Sequence, residues 1–98
     1  HSSHDVRKFR DLVEAALMRH DELPVLVIGE EYWPLPWYFR GLPRIGYWRE
    51  APVECDGALI IVEARQVEVV KARLRGAYQE SILGLRPGVI VVLFTRGS

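Results

Sequence analysis

Three short stretches made wholly of apolar residues set the limits on this chain. They are Val25-Leu26-Val27-Ile28, Ala58-Leu59-Ile60-Ile61-Val62 and Val89-Ile90-Val91-Val92-Leu93-Phe94. A strand with one wet face alternates polar and apolar side chains, so the first two runs read as strands buried on both faces and the third as strongly strand-like. The cover must come from helices. Val6, Phe9, Leu12, Val13, Ala16 and Leu17 recur at helical spacing, with Arg7, Lys8, Arg10, Asp11 and Glu14 on the opposite side. Ser2 and Ser3 are N-cap candidates, and Asp5 suits the positive end of that helix. Val67, Val70 and Leu74 predict a second amphipathic helix, stopped by Gly76.

The remaining segments fill in the order. Arg44 to Trp48 reads as a short strand and Pro52 to Gly57 as a loop with an Asp-Gly turn signal. Tyr78 to Leu85 is a further strand. Leu85-Arg86-Pro87-Gly88 then has the Pro-Gly pair of a type II turn before the last apolar run. Helix, strand, short helix, strand, strand, helix, strand, strand is the rhythm of an α/β fold. The expectation is one domain over residues 1–98: a small three-layer Rossmann-like sandwich, its sheet mostly parallel and ending in an antiparallel hairpin.

Composition narrows the partners. The 98 residues carry 13 basic and 13 acidic side chains, which leaves no cationic surplus for displacing counterions from nucleic acid. The single cysteine, Cys55, excludes an internal disulfide and, with no evident histidine partner, reads as a buried or loop thiol. His1, His4 and His20 lack metal-ligand spacing, so neither a metal nor a cofactor is expected. The longest apolar run, Val89 to Phe94, is far short of the roughly 20 residues that span a bilayer. A start at His1-Ser2-Ser3-His4 without an initiator Met reads as a piece excised from a longer protein or as a chain left by removal of a tag.

The segment Glu30 to Arg40, sequence EEYWPLPWYFR, stands apart. It packs two Trp, two Tyr, one Phe and two Pro directly after the first buried strand. Beyond the carboxyl ends of parallel strands is where ligand sites of open α/β sheets collect. Glu30, Glu31, Tyr32, Trp33, Trp37 and Arg40, with Tyr47 and Trp48 downstream, are therefore the candidate contact residues. Pro34 and Pro36 bias Trp33 and Leu35 away from helical angles, and Pro36 suits the first turn of a short helix, Trp37 to Arg40, stopped by Gly41. Two readings stay open. The aromatics form a rigid half-wet platform for a sugar or peptide, or Trp33, Trp37 and Tyr38 fold inward as extended core, the commoner fate of aromatic clusters. Glu30 and Glu31 are adjacent and point apart, so they read as charges at the start of the helix or as partners of Arg40 or Arg44 rather than as an acid/base pair. No Gly-x-Gly-x-x-Gly follows Gly29, which disfavours nucleotide binding, and no acid, base and nucleophile set converges.

Tyr32-Trp33-Pro34-Leu35-Pro36-Trp37-Tyr38-Phe39-Arg40, followed by Ile45-Gly46-Tyr47-Trp48, resembles the soluble C-terminal region of bacterial and archaeal multi-spanning membrane proteins. These are glycosyltransferase-like, flippase-activity-associated proteins related to protein mannosyltransferases. His1-Ser2-Ser3-His4-Asp5-Val6 and Gly84-Leu85-Arg86-Pro87-Gly88-Val89 echo the same region and extend the resemblance over most of the chain. The resemblance implies a non-catalytic accessory domain on the extracytoplasmic face of a membrane enzyme that uses lipid-linked sugar. Its implied partners are the membrane portion of the same polypeptide and a lipid-linked sugar or acceptor. The family's catalytic carboxylates lie in membrane loops, so none carries over to this chain. Tyr32-Trp33 is also similar in position to the acceptor-recognition motif of oligosaccharyltransferases, whose Trp-Trp-Asp-Tyr-Gly pattern is not reproduced here. The rival expectation is a free-standing α/β binding module for a small ligand or peptide.

Overall fold

A computed structural model describes residues 2–30 and 35–97. In chain order the elements are α1 (Ser2–Arg19), β1 (Val25–Ile28), α2 (Leu35–Tyr38), β2 (Ile45–Trp48), β3 (Leu59–Glu63), a 3-10 turn (Ala64–Gln66) running into α3 (Val67–Arg73), β4 (Tyr78–Arg86) and β5 (Val89–Arg96). The five strands form one sheet in the order β2-β1-β3-β5-β4. Its three inner strands, β1, β3 and β5, are the three apolar runs, and the mixed sequences lie at the edges. β2, β1 and β3 are parallel, while β5 joins β3 antiparallel and pairs with β4 as a hairpin. The chain is thus an α/β fold whose sheet is parallel first and antiparallel last.

Period-two alternation sorts the inner strands onto two faces. Val25, Val27, Leu59, Ile61, Val91 and Leu93 pack with Phe9, Val13, Ala16 and Leu17 of α1. Leu26, Ile28, Ile60, Val62, Val92 and Phe94 form the second cluster, with Val70 of α3 and Cys55. Helix α1 packs into the first cluster and α3 contributes Val70 to the second, and each fully buried aliphatic side chain contributes roughly 1.5–3 kcal/mol.

Several boundaries differ from expectation, for physical reasons. Leu12 belongs to the helical stripe by spacing but is partly exposed, because Phe9, Val13, Ala16 and Leu17 already fill the seam. Ser2 and Ser3 stand within α1 rather than before it. Helix α3 stops at Arg73, and Leu74 is extended because it bridges to Cys55 in parallel fashion. The final turn is Arg86–Val89, with Pro87 and Gly88 central and Gly88 at φ +81. A proline there forbids the primed turns that match strand twist, and the ladder absorbs the mismatch by a bulge between Gly84 and Arg86. The unpaired Leu85 drops into the core beneath α1.

The end of α1 is tied to the start of β2 by one residue. Arg44 holds φ +59, unusual for a side chain with a Cβ. Its guanidinium donates to the carbonyls of Leu17 at 3.2 Å, His20 at 2.9 Å and Leu23 at 2.7 Å. Those carbonyls lie at and just beyond the helix terminus, the negative end of its dipole, and a cation belongs there. The three bonds offset the backbone strain.

Candidate functional site

From β1 the chain passes to β2 on one side and then returns to β3 on the other, so the strand order reverses at β1. The crevice outside the carboxyl ends of β1 and β3 is where such sheets take ligands. Gly29 and Glu30 leave β1 at this point, and Glu63 ends β3 beside them. The Glu63 side chain is nearly buried, and its carboxylate is a hub. It accepts the Glu30 backbone N–H at 2.9 Å and the Gln66 side-chain amide at 3.2 Å, and it pairs with the Arg65 guanidinium. Gln66 extends the hub to the loop after β2, donating to the Arg49 carbonyl at 2.9 Å and accepting the Ala51 N–H at 3.1 Å.

Glu63 also explains Gly29. A Cβ at position 29 would lie 2.7 Å from Glu63 Oε1, and the backbone there has φ +144. Only glycine lets the chain pass so close to the carboxylate in that conformation. The Gly29 N–H then donates to the Trp48 carbonyl at 2.8 Å, which fixes the end of edge strand β2 beside the same crevice.

Farther along, α2 divides the aromatic segment by face. Leu35 and Phe39, four residues apart, are buried against α1 and the sheet. Tyr38 is half-buried against the same cluster, whereas Trp37 stands 55% exposed. The inward packing that Trp37 was open to therefore does not occur; Leu35 and Phe39 take the core positions instead. Helix α2 begins at Leu35, two residues before the expected start, since burying Leu35 outweighs the bias that Pro36 imposes on it. The helix ends at Tyr38, and Gly41 (φ +85) lies in the turn that follows.

Arg40 folds back over α2. Its guanidinium carbon lies 3.9 Å from the Trp37 ring centroid, and Nη1 donates to the Trp37 carbonyl at 2.8 Å. Across from it, Arg10 of α1 donates to the carbonyls of Tyr38 at 2.6 Å and Arg40 at 3.3 Å, and pairs with Glu14 at 3.1 Å. Arg10, Trp37, Tyr38 and Arg40 line an open cleft of about 470 Å³. A second groove of about 370 Å³, lined by Leu17, Met18, Leu42 and Pro43 among others, lies farther along α1.

The expected site residues thus fall into separate groups. Trp37 and Arg40 meet at the cleft. Glu30 stands at the crevice, paired with Arg65 at 2.9 Å and more loosely with Arg49 at 4.0 Å, not with Arg40 or Arg44. Tyr47 and Trp48 are partly exposed on edge strand β2. The Trp48 indole lies close enough over Gly46 that a Cβ there would meet Nε1 at 3.2 Å. Glu31, Tyr32 and Trp33 lie outside the described residues.

Sequence reasoning missed Arg10, Arg49, Glu63, Arg65 and Gln66. The available signal for Glu63 was its place as the first polar residue after an unbroken apolar run, at a carboxyl end. Cys55 lies in a loop and is fully buried, and burial pushes its thiol pKa up while Arg73 pulls weakly the other way, so it is an inert thiol. Among the described residues, no cluster of three His, Cys, Asp or Glu side chains could hold a metal ion, and no helix is long and apolar enough to cross a membrane. Compared with protein-family models, curated proteins and solved structures, the chain finds no match.

Proposed function

We propose that the chain is a non-catalytic accessory domain of a membrane glycosyltransferase-like protein, standing on the extracytoplasmic face. In this proposal its aromatic segment faces a lipid-linked sugar, the acceptor or the membrane portion of the same polypeptide. The fold reads, in the same proposal, as a small three-layer Rossmann-like sandwich that carries the segment at its ligand-facing end. The observation that supports a contact role is the division of α2. Leu35 and Phe39 anchor the turn, and this leaves Trp37 and its stacked Arg40 on the surface. A large, rigid, amphipathic ring with a cation on its face is suited to a half-wet contact.

Two measurements test this. The open reading frame encoding the chain should place several hydrophobic spans before His1; a gene without them overturns the membrane assignment. In the full-length protein, Trp37→Ala should reduce sugar transfer several-fold while the protein still inserts and folds. Unchanged transfer contradicts the contact role.

A further inference from the structure

The cleft between α1 and α2 has the chemistry of a particular ligand class. Arg10 is held on three sides: Nε pairs with Glu14, and Nη1 donates to the carbonyls of Tyr38 and Arg40. Arg40 is held by its stack on Trp37 and one bond to the Trp37 carbonyl. Among the described residues, nothing accepts from Nη2 of Arg10 or from Nε and Nη2 of Arg40. Both guanidinium groups are therefore fixed in place with N–H donors to spare. A fixed planar fork loses little freedom on binding an oxyanion and matches phosphate or carboxylate in bidentate fashion.

Among the described residues, both charged side chains that line the cleft, Arg10 and Arg40, are cationic. Glu14 lines the neighbouring groove and, from there, offsets part of the Arg10 charge through their 3.1 Å pair. The aromatic groups set what the anion is attached to. Trp37 and Tyr38 line the same open cleft of about 470 Å³, and the aromatic surface that Arg40 leaves uncovered suits the C–H surface of a sugar ring.

We propose that the Arg10–Trp37–Tyr38–Arg40 cleft is a binding site for a sugar that carries one anionic group, a sugar phosphate being the best match. This rests on the contact role proposed above and names the ligand class for it. Arg40 and Arg10 hold the anion, Trp37 and Tyr38 hold the ring, and Glu14, outside the cleft, weakens the pull of Arg10 through their ion pair. Fixed donors of this kind distinguish the site from a hydrophobic groove, which would bind the ring without the anion.

The test is a titration of the 98-residue chain with glucose 1-phosphate, followed by the Trp37 indole signal in heteronuclear NMR. Saturable binding is expected, with glucose alone and inorganic phosphate alone each at least about tenfold weaker. Arg40→Gln should weaken binding by about tenfold or more at an unchanged melting temperature. Arg10→Lys, which keeps a charge and loses the fork, should weaken it less, and Glu14→Gln should strengthen it about two- to fivefold. A short-chain prenyl phosphoglucose that binds more tightly than glucose 1-phosphate assigns the anion to a lipid-linked sugar, and the reverse order assigns it to a soluble one; either supports the site. No saturable response to either phosphosugar, or a response that survives Arg40→Gln, overturns it. Capture of the chain by phosphatidylglycerol vesicles that glucose 1-phosphate does not compete away also overturns it, in favour of a lipid surface. Should binding fail while Trp37→Ala still impairs transfer in the full-length protein, the contact role stands and the ligand class falls.

Discussion

The two ends of the aromatic segment are held by opposite means. At its start, the Glu30 amide is gripped by a carboxylate that is itself held by an amide and a guanidinium. At its far end, Leu35 and Phe39 are simply buried beneath α1. The polar grip is directional: it dictates the angle at which the chain leaves β1, and it works only with glycine at position 29. The apolar grip is strong but tolerant of direction, and orientation there comes from the helical turn, which puts Trp37 opposite its two anchors. A surface aromatic held this way is cheap to lose in stability.

Breaking the apolar end should have the largest effect. Phe39→Ala leaves a void under α1 and should cost about 3–5 kcal/mol in urea unfolding, a large share of the stability of a domain this size. A loss below roughly 1 kcal/mol would mean that α2 is not anchored through the core.

Breaking the polar end should cost less and act more locally. Glu63→Ala removes the acceptor for a backbone amide and for Gln66, and leaves Arg65 with Glu30 alone; about 2–3 kcal/mol is expected. Hydrogen exchange should accelerate at the Glu30 amide, which loses its acceptor, and at the Ala51 amide, which Gln66 holds. Uniform acceleration across the sheet, with no excess at those two amides, would contradict a local grip.

The same contrast explains which features were legible beforehand. Val25–Ile28 and Leu59–Val62 announce inner strands because burial on both faces demands apolar residues at every position, whereas Val89–Phe94 announces a strand in which Ile90, near its start, is exposed. The order of elements and the Pro87-Gly88 turn follow from equally local rules. The division of the aromatic segment was hidden because a start at Trp37 conceals the Leu35–Phe39 pair, whose spacing matters only once the helix begins two residues earlier. Arg10 looked like one more charge on a solvated face, and its partners are carbonyls about 30 residues away, which carry no sequence signature. Glu63 and Gln66 act through long-range hydrogen bonds to backbone, and these too leave no local pattern.

The smallest expected stability change is also the most telling. Trp37 is the residue on which the contact role and the cleft both depend, and the account requires it to be surface rather than core. Urea unfolding of the Trp37→Ala chain, followed by far-ultraviolet circular dichroism, measures this directly. Loss of the exposed ring and its stack with Arg40 should cost no more than about 1 kcal/mol, with an unchanged slope. A loss of 3–5 kcal/mol, the range for a buried aromatic, would show that Trp37 is part of the core and contradict the account.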